Sequence, residues 1–498
     1  TPKPSSAASD VYKRQALTST VEEVIMTRPL RVAIIGSGPA GIYASDCLMK
    51  SAAAQDPGVS IDILERMPAP FGLIRYGVAP DHPRIKGIIA NLHKVLNKQQ
   101  VRFFGNVEFG TDVTLDNLLQ YYDAVIFATG AKADRALNIP GIDLDGSYGA
   151  AEFVAWYDGQ PEFPRQWPLD SEKVAVIGVG NVSLDVSRIL AKTADELHVT
   201  EIPDNVYECL KASKVKEVHV FGRRGPAQAK YTPVELRELD HSPNVQVLVN
   251  PEDIDYDKAS EEARRAAKAT DMVCTTLENY AMRDEDPNPD ICKIYIHLFE
   301  SPVEILGKDG KVAGIRTERT QLNGKGGVTG TGKATDWEVG QVYRAVGYLS
   351  SELPGIPFNH TLGTIENVAG RVVDQAGDHI APLYTTGWVK RGPVGLIGNT
   401  KSDANETIQN LLEDWAAGKL NQPAHPSPEE ARTWLDNLPK KITDWTGWYR
   451  LDVHEKKRGA QEGRERKKIV EWDDMVNASH DTSVDEEAEA DRKARGGC

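Results

Sequence analysis

The sequence predicts an α/β fold with two Rossmann-like dinucleotide-binding domains, one inserted into the other. Two glycine-rich turns, at residues 36–41 and 178–183, each lie between a short apolar strand and a segment with helical spacing. Two apolar segments, YDAVIFATGA (122–131) and VYRAVGY (342–348), have the pattern expected where a chain crosses between two domains. A chain of 498 residues is long enough for two or three domains of ordinary size.

The first turn follows the apolar strand 31–35 and has the form GxGxxG. Gly36 permits the tight turn, Gly38 lets backbone amides approach a pyrophosphate, and Gly41 lets the helix pack closely on the strand. Strand, glycines and helix agree, which favours a dinucleotide site over a glycine turn without a ligand.

The strand 60–64 ends at Glu65, the position of the ribose-binding acid in such folds. A carboxylate here can accept both hydroxyl groups of an adenosine ribose, and it repels a 2'-phosphate. The first site is therefore predicted to bind FAD or NAD rather than NADP.

The second turn follows the strand 173–177, and Ser183 stands in place of its third glycine. A small residue still permits close packing of the helix, although GxGxxS alone is a weaker signal than GxGxxG.

The next strand, 218–221, is followed by Gly222, Arg223 and Arg224, where an NAD site would have an acid. Two guanidinium groups suit a 2'-phosphate, so this site is predicted to bind NADP. The alternative is a solvated pair of surface arginines.

Two nucleotide sites in one chain imply a nicotinamide that arrives and a flavin that stays and receives hydride. The predicted division of the chain is an extension expected to be disordered (1–28), a first part of the FAD-binding domain (29–131), an inserted NADP-binding domain (132–347), a second part of the FAD-binding domain (348–480) and an acidic tail expected to be disordered (481–498).

Composition excludes several classes of function. The net charge of -15, from 58 basic and 73 acidic residues, argues against a nucleic-acid partner. No apolar stretch is long enough for a membrane helix, and no motif for a metal, a hydrolytic nucleophile or a P-loop is present. Five scattered cysteines fit a reducing compartment, so the cytoplasm is predicted, with the mitochondrial matrix as the alternative in a eukaryote.

Longer motifs carry a family resemblance. These motifs are GSGPAG, RYGVAPDHPRIK (75–86), GVGNVSLDVSRIL, GRRGPAQAKYTPVELREL (222–239) and GWVKRGPVGLIGNTKSDANET (387–407). From Arg31 to the 470s the chain resembles ferredoxin-NADP reductases of the adrenodoxin-reductase type. The resemblance implies an enzyme that carries FAD, takes hydride from NADPH, and passes single electrons to a ferredoxin or other small acidic iron-sulfur protein.

The resemblance also implies site residues. The FAD residues are Gly41, Glu65, Leu73, Phe109, Trp388, Gly395, Leu396 and Ile397. The NADP residues are Arg135, Val179, Gly180, Asn181, Val182, Arg223, Arg224, Glu235 and Gly395. At Phe109 the family more often has a smaller apolar residue.

His82 and Glu238 resemble the pair that the family places near the reacting rings. Their expected role is electrostatic and orienting, because hydride transfer needs no side-chain acid or base. His219 and His297 lie on strand patterns and are expected to be packed or solvated.

An acidic ferredoxin needs a basic docking face on this acidic protein. The candidates that flank the flavin motifs are Arg75, Arg84, Lys86, Lys390 and Arg391. The alternative for each is ordinary surface charge.

Other functions share part of this sequence pattern. A disulfide reductase would need a close cysteine pair, and a glutamate-synthase-type subunit would need an N-terminal cysteine-rich region; neither is present in this sequence. An NADPH-dependent flavin monooxygenase and a non-enzymatic NADP-sensing module remain as alternatives.

Overall fold

The computed structural model describes residues 28–82, 86–393 and 397–497. Apart from Arg28, the extension expected to be disordered lies outside these residues. The strands, in chain order, are β1 (Leu30–Ile35), β2 (Val59–Glu65), β3 (Val101–Gly105), β4 (Ala124–Phe127), β5 (Ala133–Asp134), β6 (Ser147–Gly149), β7 (Lys173–Ile177), β8 (Glu217–Gly222), β9 (Val245–Val249), β10 (Cys292–Leu298), β11 (Glu300–Lys308), β12 (Lys311–Leu322), β13 (Val328–Trp337), β14 (Gln341–Arg344), β15 (Tyr348–Leu349), β16 (Phe358–Asn359), β17 (Thr364–Ile365), β18 (Asn367–Val368), β19 (Arg371–Val373), β20 (His379–Thr385) and β21 (Thr443–Asp444).

The α-helices vary from single turns to long elements. They are α1 (Pro39–Met49), α2 (Leu73–Tyr76), α3 (Ile89–Leu96), α4 (Leu115–Leu119), α5 (Ala150–Tyr157), α6 (Asn181–Ala191), α7 (Ala194–His198), α8 (Asp204–Lys211), α9 (Pro233–Glu238), α10 (Lys258–Ala266), α11 (Lys268–Ala281), α12 (Trp388–Arg391), α13 (Ile397–Ala416), α14 (Pro428–Asp436), α15 (Trp445–Ala460), α16 (Trp472–His480) and α17 (Asp485–Ala494). In the described ranges, none of them combines the length and the apolar character that crossing a membrane requires.

The larger sheet has the strand order β18-β19-β20-β4-β1-β2-β3-β21 within the described part of the chain. Its central strands β20, β4, β1, β2 and β3 are parallel, and the antiparallel strands lie at its edges. Every residue of β1 is buried, as expected for a parallel strand covered by helices on both faces. The strands come from two separate stretches of chain, 30–127 and 367–444.

A second sheet has the order β6-β14-β7-β8-β10-β9 and is parallel throughout. All of its strands lie between residues 147 and 344. The fold class predicted from the two turns, two Rossmann-like units with one nested inside the other, is confirmed by the relatives of known structure described below. The exact domain limits stay a prediction.

A narrow ribbon connects the two sheets. β5 leads away from the first sheet, β15 leads back to it, and they pair antiparallel through Tyr348 and Asp134. The Asp134 carboxylate accepts hydrogen bonds from the Ala151 amide at 3.0 and 3.1 Å, which ties the ribbon to the start of α5.

A three-stranded antiparallel sheet, β11-β12-β13, packs against the second sheet. Beneath it His219 Nδ1 lies 3.0 Å from His297 Nε2, and Trp337 lies 4.4 Å from the His297 ring. Burial is the main reason that both histidines have lowered pKa values, with that of His297 at about 3. The two imidazoles are packed side chains.

The C-terminal helices cover the first sheet. Trp448 and Tyr449 of α15 are buried in the same cluster as Val32 and Ile61. The expectation of a disordered acidic tail is wrong: after Asp481 the chain forms α17, and Val484 and Ala488 are buried. The acidic composition led to a wrong prediction of disorder, because acidic side chains of this segment form ion pairs with the cations of α15.

Candidate functional site

The first glycine turn has the shape that a dinucleotide requires. Gly36 has φ +111°, and a side chain there would place its Cβ 2.5 Å from the Ala128 carbonyl oxygen. A Cβ at Gly41 would lie 2.1 Å from the Gly36 carbonyl oxygen, whereas one at Gly38 would meet nothing within 4 Å. Among the residues that the structure describes, no side chain caps α1, which leaves its first amides without a side-chain partner beside Gly38. This cradle fits a pyrophosphate.

Glu65 is held next to the turn. One carboxylate oxygen accepts hydrogen bonds from the Ser37 amide at 2.9 Å and the Ser37 hydroxyl at 2.8 Å, and the other accepts from the Met67 amide at 3.0 Å. These bonds fix the carboxylate at the end of β2, where an adenosine ribose would lie. The first site therefore fits FAD.

Two other predicted FAD residues adjoin this turn through close glycine contacts. Gly72, with φ +50°, precedes Leu73, and a Cβ on it would lie 3.1 Å from the Gly38 Cα. Gly387, with φ +76°, precedes Trp388, and a Cβ on it would lie 2.5 Å from the Ala40 Cβ. Trp388 is half-buried, with its ring 6.2 Å from that of Tyr348.

Of the four remaining predicted FAD residues, Phe109 and Ile397 belong to the described part of the chain. Phe109 is buried and packs edge-on against Phe127 with ring centroids 5.3 Å apart. Gly395 and Leu396 lie outside the described residues, and Ile397 is the first residue of α13.

The second glycine turn repeats the geometry of the first. Gly178 has φ +136°, and a Cβ there would lie 2.3 Å from the Ala345 carbonyl oxygen, whereas a Cβ at Gly180 would meet nothing within 4 Å. Ser183 is buried and donates a 2.6 Å hydrogen bond to the Gly180 carbonyl, so it fits where a third glycine is usual. Asn181 Oδ1 accepts a 2.8 Å hydrogen bond from the Thr232 amide, while Val179 and Val182 are half-buried.

Arg223 and Arg224 follow β8 beside this turn. The Arg223 carbonyl accepts a 2.8 Å hydrogen bond from the Thr320 hydroxyl, and the Arg224 carbonyl accepts one from the Phe299 amide at 3.3 Å. Among the described residues, neither guanidinium forms an ion pair, and Arg224 Nε is buried without a hydrogen-bond partner. Unpaired guanidinium groups fit a 2'-phosphate, and hence NADP(H).

Arg135 lies at the connecting ribbon. Its amide donates a 2.9 Å hydrogen bond to the Gly347 carbonyl, and its side chain is exposed. The structure therefore places it at the crossing between the two sheets.

His82 lies between the two sites and is 4% exposed. Its Nδ1 lies 2.9 Å from a Glu238 carboxylate oxygen, and its Nε2 lies 2.7 Å from Asp185 and 2.8 Å from Glu235. Because Nε2 carries a single proton, it donates to Asp185, and Glu235 makes an ionic contact.

Burial and the neighbouring Arg188 both disfavour a charged His82. The hydrogen bond to Asp185 and the close contact with the Glu235 carboxylate outweigh them and raise the pKa of His82 to about 9. The imidazole is therefore protonated at neutral pH. His82, Glu235 and Glu238 offer ligand atoms that lie within 4.8 Å of one another.

Four members of this cluster, Asp81, Asp185, Arg188 and Lys192, were not predicted from the sequence. Arg188 Nη2 lies 2.8 Å from Asp185 and 2.9 Å from Asp81, and Lys192 adds a 2.8 Å contact to Asp81. The Arg188 guanidinium is the chief reason that the pKa of Asp81 is lowered despite burial. The spacing of Asp185 and Arg188, three residues apart on one helix, was the available signal.

The predicted basic docking face is wrong for three of its residues. Arg75 is buried in an ion pair with Glu455, at 3.0 Å for one contact. Lys86 lies 2.5 Å from Glu201, and Lys390 is buried 2.6 Å from Glu406. Their charges are neutralised inside the fold. Arg391 lies 3.4 Å from Asp403, and Arg84 is outside the described residues.

Comparisons with known proteins agree with this geometry. Residues 30–219 match the family described as "Pyridine nucleotide-disulphide oxidoreductase". The chain is 36% identical over 483 residues to "NADPH:adrenodoxin oxidoreductase, mitochondrial" of Arabidopsis thaliana, which covers 94% of this chain and 99% of that protein. It is 39% identical over 459 residues to "NADPH-ferredoxin reductase FprA" of Mycobacterium tuberculosis, which covers 90% of this chain and 99% of that protein.

A solved structure is also similar. "Mycobacterium tuberculosis FprA in complex with NADPH" superposes with a TM-score of 0.83 at 37% identity, covering 91% of this chain and 100% of that one. The similarity extends over about nine tenths of the chain in each of these comparisons. The chain therefore belongs to the family of NADPH-dependent ferredoxin and adrenodoxin reductases.

Proposed function

We propose that this protein is an FAD-dependent reductase that takes hydride from NADPH and passes electrons one at a time to a small iron-sulfur protein of the ferredoxin or adrenodoxin type. The main support is that His82 contacts residues from the elements of two distinct dinucleotide turns. His82 follows α2 beside the first turn, and Asp185 lies on α6, which begins at the second. Relatives named for NADPH and ferredoxin or adrenodoxin support the same function.

The charges at the two sites determine which cofactor each site binds. Glu65 stands where a 2'-phosphate would be repelled, so the first site takes FAD. Arg223 and Arg224 stand where a 2'-phosphate would be attracted, so the second site takes NADPH. Trp388, Leu73 and the turn at Gly38 would hold the flavin side, and Val179 to Val182 with Glu235 would hold the nicotinamide side.

FAD supplies the chemistry of the reaction, because it accepts hydride from a reduced nicotinamide and gives up electrons singly. The chain's own residues bind and orient. The protonated His82 is held by Asp185, Glu235 and Glu238, which links the segments beside the two turns and fixes the position of the imidazole between the sites. Arg188 forms ion pairs with Asp185 of this cluster and with Asp81.

Two finer points are part of the proposal. The FAD-binding part comprises residues 29–131 and 348–480, and the NADP-binding part comprises 132–347, since the connecting ribbon of β5 and β15 lies at these limits. The proposed location is the cytoplasm, with the mitochondrial matrix as the alternative in a eukaryotic cell. Fractionation of the source cells tests the location.

The test of function is a coupled assay under anaerobic conditions. The purified protein is mixed with NADPH, a plant-type or adrenodoxin-type ferredoxin, and cytochrome c. Reduction of cytochrome c that depends on the ferredoxin is the expected result. NADPH oxidation that requires oxygen and hydroxylates a substrate would identify a monooxygenase, and nucleotide binding without flavin bleaching would identify a sensing module; either result would refute the proposal.

A further inference from the structure

We infer that Lys230 is an additional NADPH-binding residue, whose ammonium group pairs with the pyrophosphate of the nucleotide. The inference rests on the proposed function, since it assumes that the second turn binds a nicotinamide dinucleotide. It assigns a role to a residue that lies within the GRRGPAQAK segment but outside the arginine pair.

The backbone of Lys230 is fixed against the second glycine turn. Its amide donates a 2.8 Å hydrogen bond to the Val179 carbonyl, and the residue pairs with Gly180 in an isolated bridge. Two residues later, the Thr232 amide donates a 2.8 Å hydrogen bond to Asn181 Oδ1. The chain from Lys230 to Thr232 therefore runs along the turn at which α6 begins.

The side chain of Lys230 is available for a ligand. It is exposed, and within residues 28–82, 86–393 and 397–497 it has no ion pair and no side-chain hydrogen bond. This contrasts with Lys86 and Lys390, whose ammonium groups are each paired with carboxylates. The space above Gly180 is open, because a Cβ there would meet nothing within 4 Å.

Charge makes the pyrophosphate the fitting partner. A pyrophosphate at the start of α6 carries two negative charges next to the helix amides, and a lysine ammonium binds phosphate as a compact point charge on a flexible stem. Arg223 and Arg224 instead follow β8, on the side of the 2'-phosphate. The three cations thus bind different groups of the ligand. Lys230 binds the pyrophosphate, which NADP and NAD share, and the two arginines bind the 2'-phosphate, which only NADP has.

This division predicts opposite patterns in two variants of the FAD-loaded enzyme. Lys230→Met should weaken binding of both NADP⁺ and NAD⁺ by about tenfold, the effect of one lost hydrogen bond to a charged group, and leave their ratio unchanged. It should not change the affinity for 2'-AMP, which has the 2'-phosphate and no pyrophosphate. Arg224→Met should weaken NADP⁺ and 2'-AMP and spare NAD⁺.

The dissociation constant of each ligand is measured by calorimetric titration of the oxidised enzyme. Lys214→Met is the matched control, because Lys214 is also exposed but precedes β8, at the opposite end of the strand from the ligand. Lys230→Arg should retain most of the affinity. Unchanged NADP⁺ binding in Lys230→Met, or an equal loss of 2'-AMP binding, would overturn the inference alone. A wild-type enzyme that binds neither dinucleotide would overturn the proposed function as well.

Discussion

His82 Nδ1 lies 2.9 Å from a carboxylate oxygen of Glu238, although the two residues belong to segments next to different dinucleotide turns. His82 follows α2 beside the first turn, and Glu238 ends α9 beside the second. Together with the contacts of His82 to Asp185 and Glu235, the contact with Glu238 forms a charged cluster that links the segments beside the two turns.

His82 should make stability depend on pH. Its pKa is raised from 6.5 to about 9, so the folded state binds a proton that the unfolded state releases earlier. This stabilisation is complete below pH 6.5 and is lost as pH rises to about 9. At about 1.4 kcal/mol per pKa unit, the loss is about 3 kcal/mol.

Urea unfolding of the wild type and of His82→Gln, at values from pH 6 to pH 10, measures this loss. The stability of His82→Gln should change less across the range. His198→Gln is the control, because that histidine is a third exposed and faces Glu462 at 3.4 Å. Identical pH profiles for the wild type and His82→Gln would contradict the assignment of the proton.

Arg75 should matter for stability and not for docking. Arg75→Met leaves the buried Glu455 carboxylate with one cation fewer, and breaking a buried pair costs about 3 kcal/mol. The salt dependence of ferredoxin reduction should not change. Lys50→Ala, which breaks an exposed 2.6 Å pair with Asp46, should cost less than about 1 kcal/mol. A weaker salt dependence in Arg75→Met would restore Arg75 to the docking face.

Arg224 should determine the preference for NADPH over NADH. Arg224→Gln removes a charged donor whose Nε is buried and has no hydrogen-bond partner in the described part of the chain. The ratio of kcat/KM for NADPH to that for NADH should fall about tenfold or more, because a hydrogen bond between charged groups contributes about 1.5–3 kcal/mol. Flavin reduction in a stopped-flow instrument gives both rates. Arg458→Gln, which changes an exposed arginine of α15 over the first sheet, should leave the ratio as it is.

Glu65 should hold the flavin. Glu65→Gln keeps the size of the side chain but removes the charge that accepts hydrogen bonds from Ser37 and would accept them from the ribose. FAD affinity should fall about tenfold, measured as FAD released on dilution. Glu108→Gln, a nearby half-buried acid, is the control. Full retention of FAD by Glu65→Gln would contradict the ribose assignment.

The C-terminal helix should contribute to folding. Ala488→Asp places a charge at a position that is 2% exposed, and it should destabilise the protein by several kcal/mol. Glu486→Ala on the exposed side of α17 should change stability little. Denaturant unfolding and resistance of the last residues to a protease give the two readouts. Equal stability of both variants would mean that α17 does not pack.

The parts of the fold that local patterns encode were predictable. Gly36, Gly41 and Gly178 are glycines because a Cβ would collide with a backbone carbonyl, and such positions are visible as a motif between a strand and a helix. The positions of Glu65 at the end of β2 and of Arg224 just after β8 were also predictable, because the end of the second strand is a fixed place in the Rossmann unit.

Long-range ion pairs were not predictable. Arg75 pairs with Glu455, and Arg188 with Asp81, across segments far apart in sequence, so nothing local distinguishes these cations from exposed ones. For the same reason an acidic tail was taken for disordered chain, although Val484 and Ala488 bury one side of it. Charge composition alone cannot tell a solvated face from a disordered segment.

The most direct test of the central claim is anaerobic titration of the purified protein with NADPH. Two neighbouring sites, one with bound FAD and one for NADPH, predict a yellow protein whose flavin absorbance is lost as NADPH is added, and lost far more slowly with NADH. A protein that stays colourless after reconstitution with FAD, or that keeps its absorbance in excess NADPH, would contradict the account.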